Sequence, residues 1–433
     1  MARIKVAYLG GGSTRAAGTM ASWVWHGQDF LGSEIVLIDL DQDRLDLVAT
    51  LARRMASAAG VDLTVTTTTD QRAGLTDCDA VLSSFRPGGF DVRALDERIP
   101  LKHGVIGQET QGPGGFFMAL RSINVLKGML DDIAQVAPKA YLFNYTNPVN
   151  VVAQAVVDNT DQPIVSLCEG PIVFPADSVR GAGLDPAKLQ VTMAGLNHNC
   201  WSTSHLYDGQ DVLPLLDAAW QDRRDDPTLT GDDRRLLHLA VTMRSLPASY
   251  YKYYFFTDEI LRQLQAAPLT RAETILASVP DYWHHYREQA ETSDPVLDPD
   301  RSRGGIHELE LAIDAIAAMF NDSGAKLPVN VLNKNGALPG FDQDTVVEVW
   351  AKTTRHGFDI LPQAPLPPAT RGITGQLAEY QRLAAKAAWD GDRADCVRAL
   401  TANPLVRQVD LAEALFDEMA HAQAAYLPGR LAR

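Results

Sequence analysis

The sequence predicts an α/β fold, and three observations carry that expectation. Short apolar runs alternate with helical patterns through the first half of the chain, and a run of three glycines joins the first apolar run to the first helical pattern. Beyond about residue 195 helical patterns dominate, with Pro- and Asp-rich interruptions near Asp225–Pro227 and Asp294–Pro299. Alternation of strand and helix implies a parallel sheet with crossover helices. The expected layout is a Rossmann-like domain over residues 1–195, followed by a mixed, mainly helical α+β domain over residues 196–433 that carries substrate, metal and oligomer contacts.

Ile4–Leu9 is apolar and β-branched, so it reads as the first strand, and it breaks at Gly10-Gly11-Gly12-Ser13 before a helix to about Trp25. Glu34–Ile38 is the second strand, ending at Asp39, and Arg44–Ala59 follows as an amphipathic helix. Leu63–Thr67 and Ala80–Ser84 are further strands. The segment Arg86–Gln111 is irregular, glycine-rich and charged, which predicts a long functional loop. Phe116–Val136 resumes as a helix. Tyr141–Phe143 is a strand ending in Asn144-Tyr145-Thr146-Asn147-Pro148, with a helix over Val149–Val157. Ile164–Leu167 is a strand ending in Cys168-Glu169-Gly170-Pro171, and Leu189–Met193 leads to Gly195-Leu196-Asn197-His198. The Ala-rich stretch Leu377–Tyr426 reads as packed helix. Ligands of open parallel sheets bind outside the carboxyl ends of the strands, so these polar strand ends are the first candidates.

Composition narrows the function. The 433 residues carry 39 Lys and Arg against 54 Asp and Glu, a net charge of −15. Such a surface repels phosphate backbones and argues against nucleic acid. No apolar run is long enough to span a bilayer. The N-terminus MARIKVAYLGGGS reads as a strand and not as a signal peptide. Four scattered cysteines, Cys78, Cys168, Cys200 and Cys396, suit free thiols in a cytoplasmic chain, one of them a candidate ligand.

Gly10, Gly12, Ser13 and Thr14 lie between strand and helix, where glycines let a pyrophosphate approach backbone N–H groups. Asp39 at the second strand end can accept hydrogen bonds from an adenosine ribose, which favours NAD. The third glycine of the usual fingerprint is absent, and Arg15 follows Thr14. On these residues alone the chain reads as an NAD-dependent dehydrogenase. Cys168 and His198 at neighbouring strand ends could share a divalent metal with open coordination positions; equally, each could be an ordinary buried side chain. The cluster Ser249-Tyr250-Tyr251-Lys252-Tyr253-Tyr254 is either an aromatic core face or the source of a tyrosine general base. Arg86, Arg93, Asp96, Glu97, Gln108 and Glu109 form either an anion site or a self-satisfied set of ion pairs.

Several blocks, taken together, resemble glycoside hydrolase family 4, the NAD- and Mn-dependent glycosidases. They are Gly10–Ser13, the long block Phe85–Ser122, NYTNPVN at Asn144–Asn150, Cys168, GLNH at Gly195–His198, Tyr250 with its neighbours, RGG at Arg303–Gly305 and NVLNKNGALPGF at Asn330–Phe341. The resemblance runs from the first strand to about Trp350 and is most like the 6-phospho-β-glucosidase branch. It implies oxidation of the sugar at C3 by NAD⁺, deprotonation at C2, elimination of the aglycone, addition of water and return of the hydride, an exception to the two-carboxylate scheme. It further implies Cys168 and His198 as metal ligands, with Tyr250 or a neighbouring tyrosine as the base. Glu109 becomes a required glutamate of the metal's outer shell, and Arg93, Asn147, Asn197 and Arg303 become substrate contacts, with Asn147 also near the cofactor. The substrate is then a phosphorylated glycoside, and the assembly a homodimer or homotetramer. In the family, the residue after the cysteine is Asn in 6-phospho-β-glucosidases, Asp in 6-phospho-α-glucosidases and His in α-galactosidases and α-glucuronidases. Here it is Glu169, placed like the acid of the α branch, and His307-Glu308 stands where Tyr-Ser is common. A 6-phospho-α-glucosidase, another family 4 glycosidase, a simple NAD-dependent sugar dehydrogenase and an NAD-sensing binding protein are the alternative readings.

Overall fold

The computed structural model describes residues 2–304, 306 and 310–432; Gly305 and the His307-Glu308 departure lie outside the described residues. Six parallel strands form the first part of the sheet: β1 (Lys5–Leu9), β2 (Ser33–Ile38), β3 (Leu63–Thr68), β4 (Ala80–Ser83), β5 (Tyr141–Asn144) and β6 (Ile164–Ser166). Six more join them, all as antiparallel neighbours: β7 (Leu189–Leu196), β8 (Asn199–Tyr207), β9 (Gln210–Asp211), β10 (Lys326–Leu332), β11 (Val346–Thr354) and β12 (Gly357–Ile360). The order is β3-β2-β1-β4-β5-β6-β10-β11-β7-β8-β9, with β12 beside β11. The sheet therefore runs through residue 195, which lies near the end of β7.

Successive strand residues enter opposite cores. Ala7, Leu9, Val81 and Leu142 face one apolar cluster, and Val6, Tyr8, Leu82 and Phe143 face the other. Strands covered on both faces can carry apolar residues on both, as β1, β4 and β5 do. Helices α1 (Ala16–Trp25), α2 (Gln42–Ala58) and the helix Leu311–Phe320 line the second cluster. After α3 (Gln71–Leu75) and α4 (Gly89–Lys102), α5 (Gly112–Val136) and α6 (Val149–Asn159) line the first cluster. The C-terminal helices Pro368–Trp389, Arg393–Ala402 and Val409–Ala422 pack on that same side. Helix α2 begins where the side chain of Asp41 accepts from the Arg44 amide (3.1 Å). It buries Leu45, Val48, Ala49, Ala52 and Met55 at helical spacing.

The expected loop Arg86–Gln111 is a correction, because most of it is α4. Its buried positions Val92, Arg93, Asp96, Glu97, Ile99 and Pro100 recur at helical spacing, but three of them are charged, so the inward face carries no apolar period. Asp96 is matched by Arg121 of α5 at 2.5 and 2.9 Å, with Gln423 as a further donor (2.9 Å). A buried pair with its remaining lone pairs satisfied can replace apolar packing.

Candidate active site

The glycine turn caps the carboxyl end of β1. Gly10 and Gly11 amides donate to the Ile38 carbonyl (2.9 and 3.1 Å), and Gly12 donates to Asp39 Oδ2 (2.9 Å). Gly10 has φ +98°, and a Cβ there would lie 2.2 Å from the Ser84 carbonyl oxygen. No other residue fits that position. The other Asp39 oxygen accepts from Leu40 (2.7 Å), so the carboxylate is fixed at the edge of the turn. This side-chain-free turn leading into α1, with a fixed carboxylate beside it, has the form of a dinucleotide cradle. Tyr286 ties in the RGG segment: its hydroxyl donates to the Thr14 carbonyl (2.8 Å) and accepts from the Arg303 amide (3.1 Å).

Arg15 leads from the turn toward Cys168. It pairs with Glu310 (3.1 Å) and Glu169 (3.5 Å) and lies over the Tyr145 ring. Tyr145 also donates its hydroxyl to Glu169. Burial raises the Glu169 carboxyl pKa, while Arg15 opposes the rise. Asn147 is half-buried between β5 and α6, where its carbonyl accepts from Ser122 (3.1 Å).

Cys168 follows β6, and His198 sits at the two-residue tip of the β7–β8 hairpin with φ +60°, a region His tolerates better than most residues. Cys168 Sγ and His198 Nε2 are 3.5 Å apart. A thiolate and an imidazole at that separation could both reach one divalent ion, so the pair fits a shared metal. Burial lowers the His198 pKa to about 4, which leaves the neutral imidazole a metal requires, and burial raises the Cys168 thiol. His198 Nδ1 meets Thr110 Oγ1 at 3.0 Å, which turns Nε2 toward the sulfur. Gln108 Oε1 accepts from the Thr110 amide and hydroxyl and from the Gln111 amide (2.6, 2.9 and 2.8 Å). Thr110 is a positioning residue that sequence reasoning missed, since only the fold brings residue 110 to residue 198.

Of the tyrosine cluster, Tyr250 is the member at the pair. Its ring stacks on His198 at 3.9 Å and 5°, with Phe174 against both edges. Tyr251 is buried in the core, where it bonds the Asn199 carbonyl and Thr374; Tyr254 donates to Gln111 (2.5 Å). Burial and then the Glu109 charge raise the Tyr250 phenol, with Arg93 opposing.

Glu109 bonds Arg86 (2.7 Å) and Arg93 (2.9 Å), and Arg93 also holds Glu97 (2.8 Å). Burial resists ionisation of Glu109, but the two arginines prevail and hold it below the usual carboxylate range. Arg86, Arg93 and Arg303 all lie around the Phe90 ring, at 5.3, 5.9 and 4.9 Å. Burial and repulsion from Arg86 lower the Arg303 pKa to about 10, so this cation gains from an added anion. Asn197 is buried and donates to Glu348 (3.0 Å), a second residue the sequence did not single out.

The chain is similar to known proteins over nearly its whole length. The family model described as family 4 glycosyl hydrolase matches residues 5–180, and that of its C-terminal domain matches residues 193–406. A probable 6-phospho-β-glucosidase of Bacillus subtilis (strain 168) is 34% identical over 98% of this chain and 97% of its own length. Among solved structures, a 6-phospho-α-glucosidase from gut microorganisms in complex with NAD and Mn²⁺ superposes with a TM-score of 0.85 at 24% identity, covering 99% of each chain. The Thermotoga maritima 6-phospho-β-glucosidase with NAD and glucose-6-phosphate superposes with a TM-score of 0.81 at 23% identity, covering 98% of this chain and 99% of its own. With both halves matched by the family models and a full-length relative at 34% identity, the chain belongs to the family 4 glycosyl hydrolases.

Proposed function

We propose that the chain is an NAD- and divalent-metal-dependent 6-phospho-β-glucosidase. The carrying observation is the convergence of the Cys168–His198 pair, the stacked Tyr250 ring and the Arg86–Arg93–Arg303 group, with Arg15 linking them to the glycine turn. The 34% identical relative named a probable 6-phospho-β-glucosidase supports the substrate class. In this reading Gly10, Gly12, Ser13, Thr14, Asp39 and Asn147 hold NAD, and Cys168 and His198 hold Mn²⁺ or another divalent ion. Bound there, NAD supplies reversible hydride acceptance, while the divalent ion polarises sugar oxygens and offsets the burial and Glu109 charge that keep Tyr250 protonated.

The chain's own groups do the rest. Arg93 and Arg303 bind the 6-phosphate against the overall negative charge, and Asn197 orients the sugar. Tyr250 takes the C2 proton once C3 is a ketone. Glu109 fixes Arg93 and biases the field at Tyr250. Glu169, whose carboxyl burial pushes up while Arg15 opposes, is the side chain placed to serve the departing aglycone oxygen as an acid. A cytoplasmic homodimer or homotetramer is part of the same reading. The four unpaired cysteines support the compartment, and light scattering checks the assembly. No helix among the described residues is long and apolar enough to cross a membrane.

The second reading is a 6-phospho-α-glucosidase. It is favoured by the Glu169 carboxylate between Tyr145 and Arg15, and supported by relatives of that name, such as one from Leptotrichia buccalis at 27% identity. Release of chromophore from 6-phosphorylated and plain aryl α- and β-glucosides, with NAD⁺ and Mn²⁺, separates the readings. The expected result is activity on the 6-phospho-β-glucoside alone. Activity confined to an unphosphorylated glycoside contradicts the phosphate site, and activity on the α anomer alone selects the second reading.

A further inference from the structure

A row of buried polar side chains crosses the sheet next to the Cys168–His198 pair. Ser83 on β4, Asn144 on β5, Ser166 on β6, Asn330 on β10 and Glu348 on β11 are successive partners in the strand register, and Glu348 pairs in turn with Gly195 of β7. All five are at most 1% exposed. Ser83 donates to Asn144 (2.8 Å), and Asn144 donates to the Ser166 hydroxyl (2.8 Å). Asn330 Nδ2 donates to the Ser166 carbonyl (3.3 Å) and to Glu348 Oε1 (3.0 Å). The same Oε1 accepts from Asn197 Nδ2 (3.0 Å).

That one oxygen joins two strand ends that the sequence keeps far apart. Through Asn330 it reaches Ser166, two residues before Cys168. Through Asn197 it reaches the hairpin tip, one residue before His198. A carboxyl buried in a sheet is costly, and an apolar side chain of similar size would serve stability at least as well. Its placement at the junction has a reason if it fixes the spacing of the two donors. We propose that Glu348 is a positioning residue whose Oε1 braces the Cys168 strand end against the His198 hairpin tip and so holds the pair ready for a divalent ion. This rests on the metal role proposed above for Cys168 and His198.

The test is Mn²⁺ binding to the full chain with NAD⁺ present and no substrate, followed by calorimetry, with Tm measured alongside. E348L removes the acceptor and is expected to raise the Mn²⁺ Kd about tenfold or more, the usual range for lost supporting contacts at metal sites. E348Q keeps an acceptor oxygen and is expected to stay within about threefold of the parent. If E348L does not fold, N330A cuts the Cys168 arm alone, and a Kd increase of about threefold or more is expected. A folded E348L, or N330A in its place, that binds Mn²⁺ as tightly as the parent overturns the brace, as does an E348Q that falls as far as E348L. A shift in Tm without a shift in Kd marks the row as structural only and also overturns it. C168S separates the two levels: if it abolishes binding while E348L leaves binding intact, only the brace fails. If C168S binds as the parent does, the metal reading fails and the brace fails with it.

Discussion

The glycine turn and the Cys168–His198 pair both sit at strand ends of one sheet, but they are held by different means. At the turn the anchors are backbone amides on carbonyls, such as Gly10 and Gly11 on Ile38, and the requirement on sequence is the absence of a side chain. At the pair the anchors are side chains from distant segments: Thr110 on His198, Asn197 and Asn330 on Glu348, and Tyr250 stacked on the imidazole. A backbone-anchored site fails by steric intrusion, which reaches the fold as well as the ligand. A site held by side chains fails when single polar atoms are removed, with the fold intact.

The largest expected effect comes from deleting a donor of the pair. C168S, measured at a Mn²⁺ concentration that saturates the parent, should lower turnover by on the order of 10³-fold, several kcal/mol of lost charge stabilisation, with little change in Tm. Turnover within tenfold of the parent would remove the pair from the mechanism. Next, Y250F should lower turnover by about 10²-fold or more while leaving NAD⁺ binding by fluorescence titration unchanged. A parent-like rate would move the base to another group.

The steric side of the comparison is tested by G10A. A Cβ that meets the Ser84 carbonyl at 2.2 Å, on a residue with φ +98°, should destabilise the fold by about 2–4 kcal/mol in a denaturant titration. A variant as stable as the parent would show that the turn can move. T110V removes a hydroxyl at nearly constant volume. It should weaken Mn²⁺ binding about tenfold with stability changed by about 1 kcal/mol at most; the reverse pattern, lost stability with intact Mn²⁺ binding, would erase the contrast between the two sites. The smallest effect is expected from D39A, a roughly fivefold rise in the KM for NAD⁺, about 1 kcal/mol for a lost hydrogen-bond acceptor.

The same contrast explains what was legible in the sequence. Each parallel strand is a short local run, and the glycine turn and Asp39 lie within the first strand–helix–strand unit, so they could be read directly. Cys168 and His198 stood out by chemistry at strand ends, and the resemblance to family 4 supplied their partnership. Helix α4 was missed because its buried face carries Arg93, Asp96 and Glu97, so hydrophobic periodicity gave no signal. Thr110 and Glu348 were missed for another reason. Thr110 meets His198 only through the fold, and the role of Glu348 depends on a strand register that sets residue 348 beside residues 195 and 330; no local spacing encodes either. Arg15 was noticed as a missing glycine, but its contact with Glu169 and Glu310 follows only from the fold.

The central claim is that NAD acts here as a catalyst that borrows and returns a hydride while Tyr250 removes the C2 proton. The most direct measurement is turnover of a 6-phosphorylated aryl β-glucoside in D₂O with NAD⁺ and Mn²⁺, reading the C2 position of the product by NMR and NADH by absorbance. The account predicts deuterium at C2 with no net NADH. Product that keeps its C2 hydrogen, or NADH formed in step with product, would contradict it.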